Sequence, residues 1–323
     1  MKCSGQWWCG FAAIFLVSAF AQPAIAQDVE DGDAESEAEV EMASEEIGDD
    51  VDLTADEGEL SDEESEESDA GLRHASQLQV RAQPVGLSWL SDTAFRVPLW
   101  DSDNDLLAGT YLDGGVTTAL SPAYGWGGPY IEILPVAVLN LRVATHFKNY
   151  FGSFGYLHVD EDGDWSDEAL DHTSDEGLAQ SATGWRLEAR ATPQMLIGRV
   201  VITGETSVHR MEMDVDDPYY EPYFDLLFEP EDTFFITRPT VGYLIGSDLS
   251  RWFVLVGARW ERIVTRESDV VRDTAGLVFN WQMPDSLMDF GDPAIAGFGG
   301  VHIDHPTRGS TSPYLGVQMM MEF

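Results

Sequence analysis

Apolar and polar residues alternate with a period of two through most of the chain after residue 77. In "RWFVLVGARWERIV" (251–264), Trp252, Val254, Val256, Ala258 and Trp260 share one face, and Gly257, Arg259 and Glu261 share the other. "YIEILPVAVLNLRVATHF" (130–147) sets Ile131, Ile133, Leu139, Leu141, Val143 and Phe147 against Glu132, Asn140, Arg142 and His146. "WRLEARA" (185–191) alternates without a slip, with Arg186, Glu188 and Arg190 on its polar face. "TAGLVFNWQM" (274–283) follows the same rule, and "QMLIGRVVITGETSVHR" (194–210) places Leu196, Val200, Ile202 and Val208 opposite Arg199, Glu205, Ser207 and His209. Side chains of a strand point alternately to its two faces, so this pattern predicts β-strands, repeated with almost no helical segment between them.

Alternation alone fits two architectures. A soluble sandwich turns its apolar face inward, whereas a membrane barrel turns that face to lipid and lines its lumen with the polar one. Three features favour the barrel. Several segments exceed the ~5–6 residues of an ordinary strand and match the ~9–11 tilted residues that cross a bilayer. Trp252 and Trp260 bracket one apolar stripe, about 20 Å apart after tilt, near the height of a band between aromatic girdles. Connections also alternate in length: "TP" (192–193) and "GSDLS" (246–250) are short, whereas 160–177 and 214–232 are long and acidic.

Counted back from the end, the strands fall at 313–323, 294–303, 272–283, 251–265, 233–246, 194–212, 182–191, 149–159, 130–147 and 106–119. A further pair lies in 77–100, in "QLQVRAQPVGLSWL" and "FRVPLW". The total is 12, with 10 the alternative if that pair does not span; both are even, as a barrel with both termini on one side requires. Pro135 and Pro239 fall inside strands and are placed at bulges, because proline cannot donate to a ladder.

The last segment, "PYLGVQMMMEF" (313–323), puts Leu315, Val317, Met319, Met321 and Phe323 on one face and Tyr314, Gly316, Gln318 and Glu322 on the other. It resembles the C-terminal strand of bacterial outer-membrane β-barrel proteins, a porin-like class. The resemblance implies that Tyr314, Gly316, Met319, Met321 and Phe323 act as the assembly signal read by the barrel-assembly machinery. It also implies contact with outer-membrane lipid and lipopolysaccharide.

The front of the chain supports export. "GFAAIFLVSAF" (10–20) is an apolar run of signal-peptide length, and "AIA" (24–26) offers small residues for cleavage, so residues 1–26 read as a leader. Both cysteines, Cys3 and Cys9, lie in that leader, which removes disulfide frameworks and thiolate chemistry from the remainder. Residues 28–69 then hold 22 acids and no lysine, arginine or aromatic. Such a segment cannot bury enough apolar surface to offset chain entropy, so 27–76 is expected to be a disordered acidic extension, lying in the periplasm, ahead of a barrel over 77–323. The chain has 58 acids and 17 bases; setting aside those 22 acids and Lys2 leaves 36 against 16. That balance argues against nucleic acid as a partner.

The polar faces carry the remaining candidates. Glu132, Arg142, Arg186, Glu188, Arg190, Arg199, Glu205, Arg259 and Glu261 would line the lumen, with His146, His209 and His302 nearby. Arginine suits forked pairing with carboxylates on neighbouring strands, so these residues could either structure a passage or fill it. "HIDHPTRGSTS" (302–312) gathers His302, Asp304, His305 and Ser310, but it lacks the motif of outer-membrane hydrolases and does not align a serine with a histidine. H-x-x-H on a turn is a weak metal signal, and solvated loop histidines are the expectation. The aromatic stretch "PYYEPYFDLLF" (218–228) is expected to pack over the barrel mouth, and the acidic loop could associate diffusely with divalent cations. No cofactor, catalytic residue or metal ligand is assigned. The expectation is an all-β, up-and-down transmembrane barrel that acts as a passive small-solute channel or as a structural or interaction barrel; the alternatives are a lipid-active barrel enzyme and a soluble secreted β-sandwich.

Overall fold

A computed structural model describes residues 70–82, 85–100, 102, 104, 106–107, 109–153, 157–159, 180–221, 223–246, 252–283, 292–306 and 311–322. Residues 1–26, the acidic stretch to residue 69, the acidic loop 160–177, Ser310 and Phe323 lie outside the described residues. Fifteen strands are present among them. They are β1 (Gly71–Ala82), β2 (Val85–Pro98), β3 (Tyr111–Leu120), β4 (Tyr124–Val136), β5 (Leu139–Phe151), β6 (His158–Val159), β7 (Ser181–Ile197), β8 (Val200–Met213), β9 (Tyr219–Glu221), β10 (Leu226–Phe228), β11 (Glu231–Ile245), β12 (Phe253–Thr265), β13 (Val271–Gln282), β14 (Asp292–Asp304) and β15 (Pro313–Glu322).

Twelve of the strands close into one antiparallel barrel, in which sequence neighbours pair and β1 pairs with β15. Closure leaves no unpaired edge, the condition for strands to cross hydrocarbon. The seam runs from Ala75 opposite Glu322 to Arg81 opposite Gly316. The other three strands, in the order β10-β9-β6, form a small separate sheet. The sandwich alternative is therefore excluded by topology, and the count of twelve holds over ten.

The burial pattern is that of a membrane barrel. Ile131 is 62% exposed beside Glu132 at 3%, and Val143 is 55% exposed beside Arg142 at 1%. The apolar face points out and the charged face points in, the reverse of a soluble domain. Leu315 and Val317 of β15 face outward, while Tyr314, Gly316, Gln318 and Met320 face the interior. Met320 packs there with Ala294 and Ala296, so the methionine run is split between two faces.

Several boundaries differ from the strand count. The first strand starts at Gly71, ahead of residue 77. The segment 130–147 is not one strand but most of a hairpin, with β4 and β5 joined through Ala137 and Val138. The predicted strand 149–159 is not found among the described residues: β5 ends at Phe151, and beyond it in that range the described residues extended are His158 and Val159, in the small sheet. The "TP" at 192–193 runs inside β7, and the turn falls at Gly198 and Arg199. Gly198 has φ 58°, a left-handed conformation glycine adopts without steric cost. That two-residue turn moves the outward face from odd positions on β7 to even positions on β8, so Leu196 packs inward against Val201, Leu244, Phe253 and Leu255. In the same way the first segment of the 77–100 pair itself holds a reversal, between Ala82 and Val85, and β2 runs on from there through the second. Pro135 sits at a register shift, as expected of a bulge. Pro239 does not: it stays opposite Gly204, and the pairing with β12 keeps one register on both sides of it.

Candidate functional site

The lumen is the candidate site, and its contents come from two sources. Along the wall, inward positions of the strands supply charge. Across one end, the connection between β8 and β11 folds back into the barrel. Strand directions place this end opposite the one that carries β1's start and β15's finish.

On the β2–β7 side, Glu132 is the hub. Its carboxylate accepts from Tyr111 Oη at 2.9 Å, Asn140 Nδ2 at 3.0 Å and Arg142 Nη1 at 3.3 Å, with Arg190 Nη2 at 3.7 Å. Arg142 reaches Asp92 on β2 at 3.5 Å and lies over the Tyr130 ring at 3.6 Å. Glu188 lies between Arg186 at 3.5 Å and Arg190 at 3.6 Å, and His209 approaches it at 3.9 Å from β8. Arg96 grips Asp113 with both arms of its fork, at 2.8 and 2.6 Å. On the β8–β13 side, Arg238 donates to Glu205 at 2.8 Å and to Glu261 at 2.6 Å, and Arg272 also donates to Glu261.

These contacts place the nine predicted lumen residues. Glu132, Arg142, Arg186, Glu188, Arg190, Glu205 and Glu261 are buried inside the barrel. Arg259 is half-buried and borders a cavity of about 40 Å³ with Val278, Asn280 and Gln318, room for about one or two waters. Arg199 is not in the lumen; it is exposed on the β7–β8 turn and donates to the Gly246 carbonyl at 2.9 Å. The turn at Gly198 and Arg199 interrupts the alternation, so Arg199 takes no inward strand position.

Sequence reading missed Arg96, Asp113, Lys148, Glu221, Asp225, Asp232, Arg238 and Arg272, all buried. The inward-facing signal was present for Arg238 and Arg272, each at an even position of a strand whose odd positions, such as Phe235 and Val241 on β11 and Leu277 and Phe279 on β13, point out. Among the described residues eight arginines and lysines and eight carboxylates are buried. The chain carries a formal charge of −41, yet its interior is balanced, so these charges are arranged to satisfy one another.

The second component is the segment from Tyr219 to Phe228. Tyr219, Tyr223, Phe224, Leu226 and Phe228 are fully buried and share one apolar cluster with Tyr124 and Trp126 on β4, Tyr150 on β5, Met211 and Met213 on β8, Phe234 and Ile236 on β11 and Ile263 on β12. Phe224 meets Phe234 edge-on at 4.7 Å and Tyr223 meets Tyr124 at 5.6 Å, geometries that aromatic quadrupoles favour. The expectation of a cover over the mouth is deepened: the aromatics sit within the barrel as a plug.

Polar anchors tie the plug to the wall. Lys148 on β5 donates to Glu221 at 2.8 Å, Tyr150 donates to the same oxygen, and the Phe224 amide donates to the other at 2.6 Å. Complete burial pushes the Glu221 carboxyl above its ordinary pKa, and Lys148 pulls the other way. Arg272 donates to the Phe224 carbonyl at 2.5 Å and so joins the plug to the wall network through Glu261. Asp225 faces His302 at 3.9 Å and His305 at 3.1 Å. Both histidines are buried, which corrects the expectation of solvated loop residues; Asp304 between them is exposed.

The geometry defines an outer-membrane β-barrel whose lumen is occupied by its own side chains and by an inserted loop. No family model matches the sequence, and no curated protein matches it significantly. The β domain of the Bordetella autotransporter BrkA is similar in structure, at 11% identity and a TM-score of 0.39, over 79% of this chain and 100% of that one. LpxR from Salmonella typhimurium gives 10% and 0.38, over 77% and 99%. OmpT, an outer-membrane protein of Vibrio cholerae, gives 6% and 0.35, over 80% and 99%. None of these likenesses assigns an activity to this chain.

Proposed function

We propose that this protein is a plugged outer-membrane barrel with a structural or interaction role, closed to solutes in the state described, and not a constitutive passive channel. One observation carries the reading: the Tyr219–Phe228 segment is buried inside the barrel and anchored to its wall by Lys148, Tyr150 and Arg272. The charge balance of the interior supports it, because a selective passage presents an excess of one sign to its solute. In this reading the end with the termini faces the periplasm, together with the acidic stretch 27–69, and the plugged end faces outward. The apolar exterior contacts outer-membrane lipid and lipopolysaccharide, and the C-terminal strand engages the assembly machinery.

The test is conductance in planar bilayers with protein whose folding is verified by heat-modifiable mobility. The expected result is no unitary current steps. Regular steps of one amplitude from such a preparation overturn the closed-barrel reading and restore the channel.

A further inference from the structure

Asp225, His302 and His305 come from separate parts of the chain. Asp225 lies in the turn between β9 and β10 of the plug, His302 near the end of β14 on the wall, and His305 just beyond that strand. All three are buried, and one ligand atom from each lies within 4.8 Å of the others. The Asp225 carboxylate is divided between two tasks. Oδ1 accepts from the Tyr220 hydroxyl, and Oδ2 faces both imidazole Nε2 atoms, at 3.9 Å from His302 and 3.1 Å from His305.

A structural aspartate–histidine pair needs one imidazole for one carboxylate oxygen. Here two converge on the same oxygen, their rings 4.6 Å apart and nearly perpendicular. Donor atoms around a tetrahedral zinc at about 2.0–2.1 Å stand roughly 3.3 Å from each other, and the spacings here bracket that value. The tyrosine supplies the outer hydrogen bond that commonly fixes a ligating carboxylate. Asp225 also holds φ 56°, a backbone position glycine would take more easily, yet a carboxylate stands there.

We infer that Asp225, His302 and His305 form a binding site for one divalent transition-metal ion, zinc by preference, with Tyr220 positioning the carboxylate. Two imidazoles and a carboxylate suit zinc and its first-row neighbours over calcium or magnesium, which take oxygen ligands. Three protein ligands leave the fourth position of a tetrahedron to water or an incoming group. Because Asp225 belongs to the plug and His302 to the wall, the ion bridges the two and clamps the plug in place. That consequence rests on the plugged-barrel reading; the site itself does not.

The test uses the full chain, folded in detergent, stripped with a chelator, reloaded with zinc and passed through a desalting column. The expected result is about one equivalent more zinc on the wild type than on the His302→Ala/His305→Ala variant; both carry the same acidic extension, so diffuse binding cancels. Cobalt in place of zinc should give visible absorption bands in the wild type and none in the variant. Tyr220→Phe should keep the site but weaken zinc binding about 10- to 100-fold. Should the double variant fail to fold, Asp225→Asn removes the charge at nearly constant shape and is compared in the same way. Equal zinc retention and equal cobalt spectra in folded wild type and variant overturn the site. Bilayer conductance is untouched by that outcome, so failure of the metal site and failure of the closed-barrel reading remain distinct.

Discussion

The two parts of the lumen are filled by opposite chemistry. The wall network is made of arginines and carboxylates from neighbouring strands, while the plug is made of tyrosine, phenylalanine and leucine carried in by one loop. Burying charge is costly, and attraction between partners offsets the cost only when geometry is good and remaining donors are satisfied. The network meets the geometric part of that condition with arginines whose partners sit at fixed ladder positions; Glu205 and Arg238, for example, are directly paired across β8 and β11. The plug has no such ladder to position it within the barrel. It relies on apolar burial, which is non-directional, plus a few polar anchors that set its orientation. The wall should therefore fail as a unit, and the plug should be able to loosen while the barrel stays closed.

The most severe way to break this contrast is Arg238→Ala, which leaves Glu205 and Glu261 without their shared partner. A loss of about 3–5 kcal/mol is expected, read as the shift in the urea midpoint of the folded barrel. A change below one kcal/mol would mean that water enters and solvates the carboxylates. Phe224→Ala follows, at about 3 kcal/mol, the low end for a buried aromatic because a loop relaxes more readily than a core. Its effect should appear as new protease cleavage within 214–230 while heat-modifiable mobility is retained; simultaneous loss of both would merge the two regions into one cooperative unit.

The plug's ion pair tests whether charge is needed there. Lys148→Met alone should cost about 3 kcal/mol, because Glu221 is left buried, whereas Lys148→Met with Glu221→Gln should recover to within about 1 kcal/mol of wild type. An unrecovered double variant would show that the pair itself holds the plug. The smallest effect is expected at the exposed pair Arg210–Glu231, where the side chains are 47% and 54% exposed. Arg210→Ala should change stability by under about 1 kcal/mol. Measured beside Arg238→Ala, it separates what burial contributes from what charge contributes.

Particular residues show how far the sequence could be read. Glu132, Arg142, Arg186, Glu188 and Arg190 were legible as inward because each stands between apolar neighbours on an unbroken strand. Arg199 is misplaced by the hidden two-residue turn at Gly198, where the outward face switches from odd to even positions. The pairing of Lys148 with Glu221 was not legible, since 73 residues separate them and Glu221 lies outside the barrel strands. The H-x-x-H of His302 and His305 is visible, but the carboxylate between them, Asp304, is exposed, and the one they meet is Asp225 of the plug.

By itself the sequence determined the alternation of apolar and polar faces, which favours a membrane barrel of 12 or 10 strands over a sandwich, and the facing of most wall residues. Those properties follow from a period of two, which is local and repeats along each strand. Only the tertiary structure decided that the loop at 218–228 enters the lumen, that Arg238 serves two carboxylates, and that Asp225 meets His302 and His305. A loop carries no periodicity to announce its destination. Where it docks depends on the space and the partners that the closed barrel presents.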